Sequence, residues 1–428
     1  MRKTADEIAK LVEGHRDSTY PFRDRMQSDY DLYIMRPYDA GDGYESYTSN
    51  EPRTYADKII SWMSSAELII RIPNIEEPRE MREVNDAKEK FLVGILRAAD
   101  ERLRRRLQPS LREQLAWFVA LRGWYAGRAL LHIDSKERTQ VDITPWDPLH
   151  TYWGEGEEGL AWACYRIHKT KDEILQQYSI KLDEQDDETP IEVYDYYDEE
   201  HNIVCTGDTI LKQATPHGAD RVPVFIGMVG PQPLVQNIDN TSVTDTIVEY
   251  GESVFAPNRE IYDKHNFTMS VMMEMVARSR KQGITITSRD GQKTLDEDPY
   301  KAGAEVALAQ GEDIKPLGLM EVAKETGAYM GMVSGELQRG AIPHTVYGDL
   351  QFQLSGFAIN TLRQGIDSVL QPRIVAMEDA YIQISHLICD QYSTGIYDPV
   401  SVSGRDRNRV DRKSRNSRDI SCKPATRR

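Results

Sequence analysis

The run Gly154-Glu-Gly-Glu-Glu-Gly159 fits the G-x-G-x-x-G pattern of a dinucleotide loop. Such a loop works by aiming backbone N–H groups at a pyrophosphate from the start of a helix. Here glutamates fill the three variable positions and a strand-like stretch follows, so the carboxylates would repel the phosphate and the run reads as an acidic turn. The chain contains no G-x-x-x-x-G-K-[ST], H-E-x-x-H, EF-hand loop or G-x-S-x-G. Its nine histidines are isolated from one another. Cys164, Cys205, Cys389 and Cys422 show no metal-ligand spacing and read as buried structural thiols in a reducing compartment. Among 69 acids, spacing alone singles out no catalytic pair. The expectation is a chain with no catalytic residue, no metal and no cofactor.

Three further groups can make contacts rather than chemistry. Met269, Met272, Met273 and Met275 sit within one helical stretch and read as adaptable core or subunit packing. The run Arg102-Leu-Arg-Arg-Arg106 reads as a solvated helix end in preference to a phosphate contact. Residues 401–428 hold ten Lys or Arg against three Asp and almost no large apolar side chains, which reads as a disordered basic tail. That tail carries +7 of a net −16, leaving −23 on the first 400 residues. A body so acidic repels a phosphate backbone carrying roughly one charge per 1.7 Å of duplex. This argues against tight sequence-specific DNA binding by the body and leaves open passage of DNA that is not gripped. No stretch nears the roughly 18 apolar residues of a membrane span, and the opening MRKTADEIAK has no apolar signal-peptide centre.

The elements that hold these residues change character along the chain. The first quarter reads as interrupted helix, with Thr54 capping a helix through Ile59, Ile60 and Met63 after a break at Asn50-Glu-Pro52. Residues 67–73 read as a short strand stopped by Pro73. A charged helix over 78–107 buries Phe91, Leu92, Ile95, Leu96 and Leu103, and a second, from Leu111 to Tyr125, contains Trp117, Phe118 and Trp124. From Arg128 the period becomes strand-like, at 129–133, 141–143, 160–167, 191–197, 203–205, 210–212 and 222–226. Thr170 and Glu173 form a capping box between two of these strands. After Pro233 the chain turns helical again. A helix opens at Ser242, restarts or kinks at Pro257 and runs to about Lys281. Ile284–Thr287 is a strand, 305–308 its return, and 319–337 a helix ending near Gly340. A Gly/Pro loop leads to the longest helix, 355–392, with Pro372 inside it as a kink. The class is α+β, without βαβ alternation.

This order from 242 to 395 resembles the portal protein, or head–tail connector, of tailed double-stranded DNA bacteriophages. Tyr30-Asp-Leu-Tyr33, Asn50-Glu-Pro-Arg-Thr54, Trp146-Asp-Pro148, Gly251-Glu-Ser-Val-Phe-Ala-Pro257 and Ser355-Gly-Phe-Ala358 also look like portal sequence. The resemblance implies a wing of helices and antiparallel strands over 1–241, completed by the long proline-kinked helix of 355–395. It implies stem helices at 242–281 and 318–340, a small β-containing clip at 282–317 and a tunnel loop at 341–354. Residues 396–428 are then a basic tail or a truncated crown. By the same likeness Arg339, His344, Tyr347, Gln351 and Gln353 face DNA, Arg289, Lys293 and Lys301 dock partners, and Pro257 and Pro372 mark helix kinks.

The implied assembly is a homododecameric ring at one capsid vertex of the virion, put together in the host cytoplasm. Double-stranded DNA passes through it. Its other partners are the terminase large subunit, a head–tail adaptor and the major capsid and scaffolding proteins, with no membrane. Two other readings stay open: another ring-forming virion protein such as an adaptor, or a phage nucleic-acid-processing enzyme.

Overall fold

The computed structural model describes residues 3–41, 45–66, 68–72, 79–134, 137–182, 189–231, 251–280, 284–288, 291, 295, 306–316, 324–341 and 356–397. The fold is α+β, with every described strand pairing antiparallel. It divides into two compact units. The first comprises Met1–Ile34, Arg53–Ala256 and Gly348–Arg428, and the second Met35–Pro52 and Pro257–Tyr347.

In the first unit, helices α1 (Ala5–Ser18), α2 (Tyr20–Tyr33), α3 (Glu51–Ser65), α4 (Arg79–Arg105) and α5 (Leu111–Leu121) precede the strands. Capping boxes start α1 at Thr4 and Glu7, and α5 at Ser110 and Glu113. These side chains satisfy N–H groups that a helix start leaves bare. Then come β1 (Trp124–Ile133), β2 (Thr139–Trp146), a short 3-10 turn at Pro148–His150, β3 (Thr151–Gly156) and β4 (Gly159–Lys169). Helix α6 (Lys171–Tyr178) starts on the expected box of Thr170 and Glu173. It is followed by β5 (Ile191–Asp198), β6 (His201–Thr206), β7 (Thr209–Pro216) and β8 (Val224–Met228). One sheet has the order β2-β1-β8 and the other is a meander, β3-β4-β5-β6-β7. Ala126, Trp146, Ala163, Tyr197, Val222 and Val224 form the core between the sheets. The α1 side chains Ile8 and Val12 cover Tyr152, Cys164, Tyr196 and Cys205 on the larger sheet.

The long helix α9 (Gly356–Ser393) runs through Pro372 and packs on β1, β8 and α5. Leu370, Tyr381, Ile384, Leu387 and Ile388 are buried as the apolar pattern requires, whereas Ile374 is exposed. Proline supplies no N–H to the carbonyl four residues back. Next to that gap, the Arg373 guanidinium donates to Val369 O at 2.7 Å and, through its other nitrogen, to Ser253 O at 3.0 Å.

The second unit holds α7 (Arg259–Arg280), the hairpin β9 (Ile284–Thr287) and β10 (Asp313–Pro316), and α8 (Lys324–Gly340).

Several expectations need correction. Residues 68–72 form no strand: among the described residues none pairs with them, and Ile72 N–H donates to Glu89 Oε1 at 2.7 Å instead. Trp124 is not helical, because α5 ends at Leu121 and Gly123, at φ 68°, turns the chain into β1. A Cβ on Gly123 would lie 1.8 Å from Gly251 O, so only glycine permits that turn. Helix α3 starts at Glu51, with Pro52 in its first turn, so Thr54 is not its cap. The return strand of the hairpin is Asp313–Pro316 rather than 305–308, since a turn at Gly311 must come first. Strand β3 went unread before the acidic turn, which does join it to β4 at Glu157 and Glu158. Nor is the arginine run wholly solvated: Arg102 and Arg106 reach Asp142 at 3.2 and 3.9 Å.

Candidate functional site

Within the second unit, Pro257 lies in the turn before α7, so the helix restarts there; the stretch opening at Ser242 lies outside the described residues. Asn258 is fully buried and its Nδ2 donates to Leu337 O of α8 at 2.8 Å. A Cβ at residue 340 would stand 2.0 Å from Asn258 Oδ1, so glycine is what lets the end of α8 close on α7. The 35–52 segment straps α7 from outside: Tyr47 N–H donates to Ser270 Oγ at 2.8 Å, and Ser49 N–H to Asn266 Oδ1 at 3.0 Å. Tyr262, Val333 and Leu337 supply the buried interior.

The outer faces of this pair carry exposed apolar side chains among charged ones. Val276 is 61% exposed and Met332 63%, with Phe267, Met273 and Tyr329 also exposed. Of the four clustered methionines, Met269, Met272 and Met275 are half-buried and Met273 is exposed. Along α8, Gly327, Gly331 and Gly335 recur every four residues, and a Cβ on any of them would meet nothing within 4 Å.

Arg339 stands in the last turn of α8, its side chain 78% exposed and 2.6 Å from Glu336. His344, Tyr347, Gln351 and Gln353, together with Arg289, Lys293 and Lys301, lie outside the described residues.

Three of the stretches that carried the family resemblance, 30–33, 146–148 and 251–257, take part in joints of the first unit. Buried Arg122 grips Asp147 with Nε at 3.0 Å and Nη2 at 2.9 Å, and donates to Met26 O at 2.7 Å. Its guanidinium lies 5.3 Å from the Tyr30 ring and 5.8 Å from that of Trp117, against which Tyr30 and Tyr33 pack edge-on. Thus Tyr30–Tyr33 and Trp146–Pro148 meet at one arginine. Gly251 O accepts from Arg25 at 3.2 Å, and Val254 N–H donates to Ala120 O at 2.8 Å. No sequence signal flagged Arg122, because Met26 and Tyr30 on α2 and Asp147 after β2 all lie more than 20 residues from it.

A second polar joint bridges the two sheets. Arg128 of β1 pairs with Asp142 of β2 at 2.8 Å and with Asp195 of β5 at 3.0 Å, and donates to Tyr197 Oη at 2.6 Å. Burial opposes the Arg128 charge, but Tyr197, Asp195 and Asp142 outweigh it and push the pKa up. Among the described residues no group of three or more His, Cys, Asp or Glu could share a metal ion, and no helix is long and apolar enough to cross a membrane.

No protein-family model matches the chain, and no curated protein matches it. Solved structures do. A chain of the virion of a native gene transfer agent particle superposes with a TM-score of 0.47 at 12% identity, over 84% of this chain and 81% of that one. A chain from the neck of an empty gene transfer agent particle gives 0.45 at 14% identity, over 80% and 79%. Superposition at this level is a partial likeness of backbone and says nothing by itself about what the chain does.

Proposed function

We propose that this chain is a portal subunit, one of a closed ring, in all twelve copies, at a single vertex of a phage capsid. DNA enters and leaves through the ring. The observation that carries this reading is the element order of the chain: α7, the β9–β10 excursion, α8, a Gly/Pro loop and then α9 with Pro372 inside it. The exposed apolar side chains on the outer faces of α7 and α8 add to it, because such surface on a soluble subunit calls for a neighbour. On this reading α7 and α8 are stem helices, the 282–317 excursion is the clip for terminase and adaptor, and 341–354 is the tunnel loop. The first unit supplies the wing, bordered by major capsid and scaffolding proteins. ATP hydrolysis belongs to a separate motor.

Electron microscopy of the purified protein tests the reading. Closed rings with a central hole and head-to-tail contacts are expected. A stable monomer at high concentration, or ATPase activity that follows the chain and is lost on point mutation, would sink it.

A further inference from the structure

A cleft of about 580 Å³ lies over the polar joint between the two sheets of the first unit. Its carboxylates are already occupied. Asp142 accepts from Arg128, Arg102 and Thr144, and Asp195 from Arg128 and Asn202. Spare donors remain beside these paired carboxylates. The Lys212 ammonium has three N–H groups, one of which donates to the neutral Asn202 Oδ1 at 2.7 Å. Gln177 accepts from Lys169 through Oε1, which leaves its amide N–H groups without a partner among the described residues. Arg128 Nε is buried with no acceptor among them either.

Charge points the same way. Arg102, Arg128 and Lys212 face Asp142 and Asp195, which leaves one positive charge in the lining. Burial lowers the pKa of His132 and His217 below the ordinary histidine value, which disfavours further positive charge there. The remaining lining mixes neutral polar groups with apolar and aromatic ones, Tyr178, Tyr397 and Ile133 among them. Clefts of roughly 300–1,000 Å³ that combine apolar walls with a few convergent polar groups are the usual form of small-molecule sites.

We propose that this cleft binds a small aromatic anion, with its carboxylate or phosphate head at Lys212 and its ring against Tyr178 and Tyr397. The proposal does not depend on ring formation, so either can fail alone.

The test is thermal unfolding of the full-length chain at fixed ionic strength, with sodium benzoate or phenyl phosphate as probe and chloride, acetate and inorganic phosphate as controls. At least one aromatic anion should raise Tm saturably, by about 2–4 °C, and the small controls should not. Lys212 lies on β7, which pairs only with β6, so Lys212→Met should leave the fold intact and abolish the shift. Gln177→Leu should weaken it. No saturable shift with either aromatic probe, an equal shift from inorganic phosphate or acetate, or an undiminished shift in Lys212→Met would each overturn the assignment.

Discussion

Asp142 holds Arg128 at 2.8 Å and Arg102 at 3.2 Å, with its side chain only 9% exposed. Burial pushes its pKa up, but Arg128 and then Arg102 outweigh burial and hold it below the ordinary carboxylate value. A depressed carboxylate contributes stability above its unfolded pKa and loses it as pH falls through the folded value. Its contribution is therefore complete at neutral pH and fades below about pH 4. Asp142→Asn leaves two guanidinium groups short of a partner and should cost about 3–5 kcal/mol, read as a lower urea midpoint at unchanged m. His15 acts over a different range. Burial first, then Arg23, lowers its pKa to about 4. The unfolded chain then takes up this proton first, so stability falls as pH drops from about 6.5 toward 4. His15→Gln should flatten the Tm-versus-pH curve across that interval, and equal slopes in the two proteins would disprove the assignment.

At the scale of elements, α9 shows what the sequence could and could not reveal. Its length and its face of Leu370, Ile384, Leu387 and Ile388 follow from apolar period, because that face must be buried. Its polar stitches do not. Gln391, fully buried, accepts from Leu131 N–H at 2.8 Å and donates to Ala129 O at 2.9 Å, on β1 beyond the end of its pairing with β8. Gln383 makes the same pair of bonds with Ile226 on the open edge of β8. In both cases a side-chain amide stands in for a missing strand, and its partner lies more than 150 residues away, where no local pattern reaches. Gln391→Leu should therefore cost about 2 kcal/mol or more by stranding two buried backbone groups, measured by thermal unfolding. The functional residues were less legible still, since their evidence was a resemblance and not a chemical pattern. Along α8 the glycines are informative in another way. Each costs its helix roughly 1 kcal/mol against alanine, and nothing within the described chain occupies the space beside them. Gly331→Ala should then stabilise the separate subunit by about that amount. In a ring whose stem helices pack closely, the same change should reduce assembly, seen by light scattering. Unchanged assembly would mean that no neighbour approaches that face.

For the whole molecule the governing quantity is charge. The first 400 residues carry −23, and on the proposed portal reading a body of that charge disfavours tight binding of the duplex that passes through the ring. DNA can then slide, but something must touch it if a packaged genome is to stay in place. Between α8 and α9 the sequence offers Gly340, Pro343 and Gly348, which oppose regular helix, beside the neutral polar groups of Tyr347, Gln351 and Gln353. Neutral side chains can contact phosphates without holding them, and Arg339, already paired with Glu336, adds only a compensated charge. Contacts of this kind are independent of base sequence, and with no uncompensated cation among them they release few counterions and depend little on salt. Shortening residues 342–350 should leave rings intact by microscopy, because the interior of the second unit rests on Tyr262, Val333 and Leu337 instead. Packaging or retention should suffer, read as packaged genome length in virions with intact and shortened loops. Normal length and normal retention would reduce the loop to a connection between two helices, and DNA contact would have to be sought on another element.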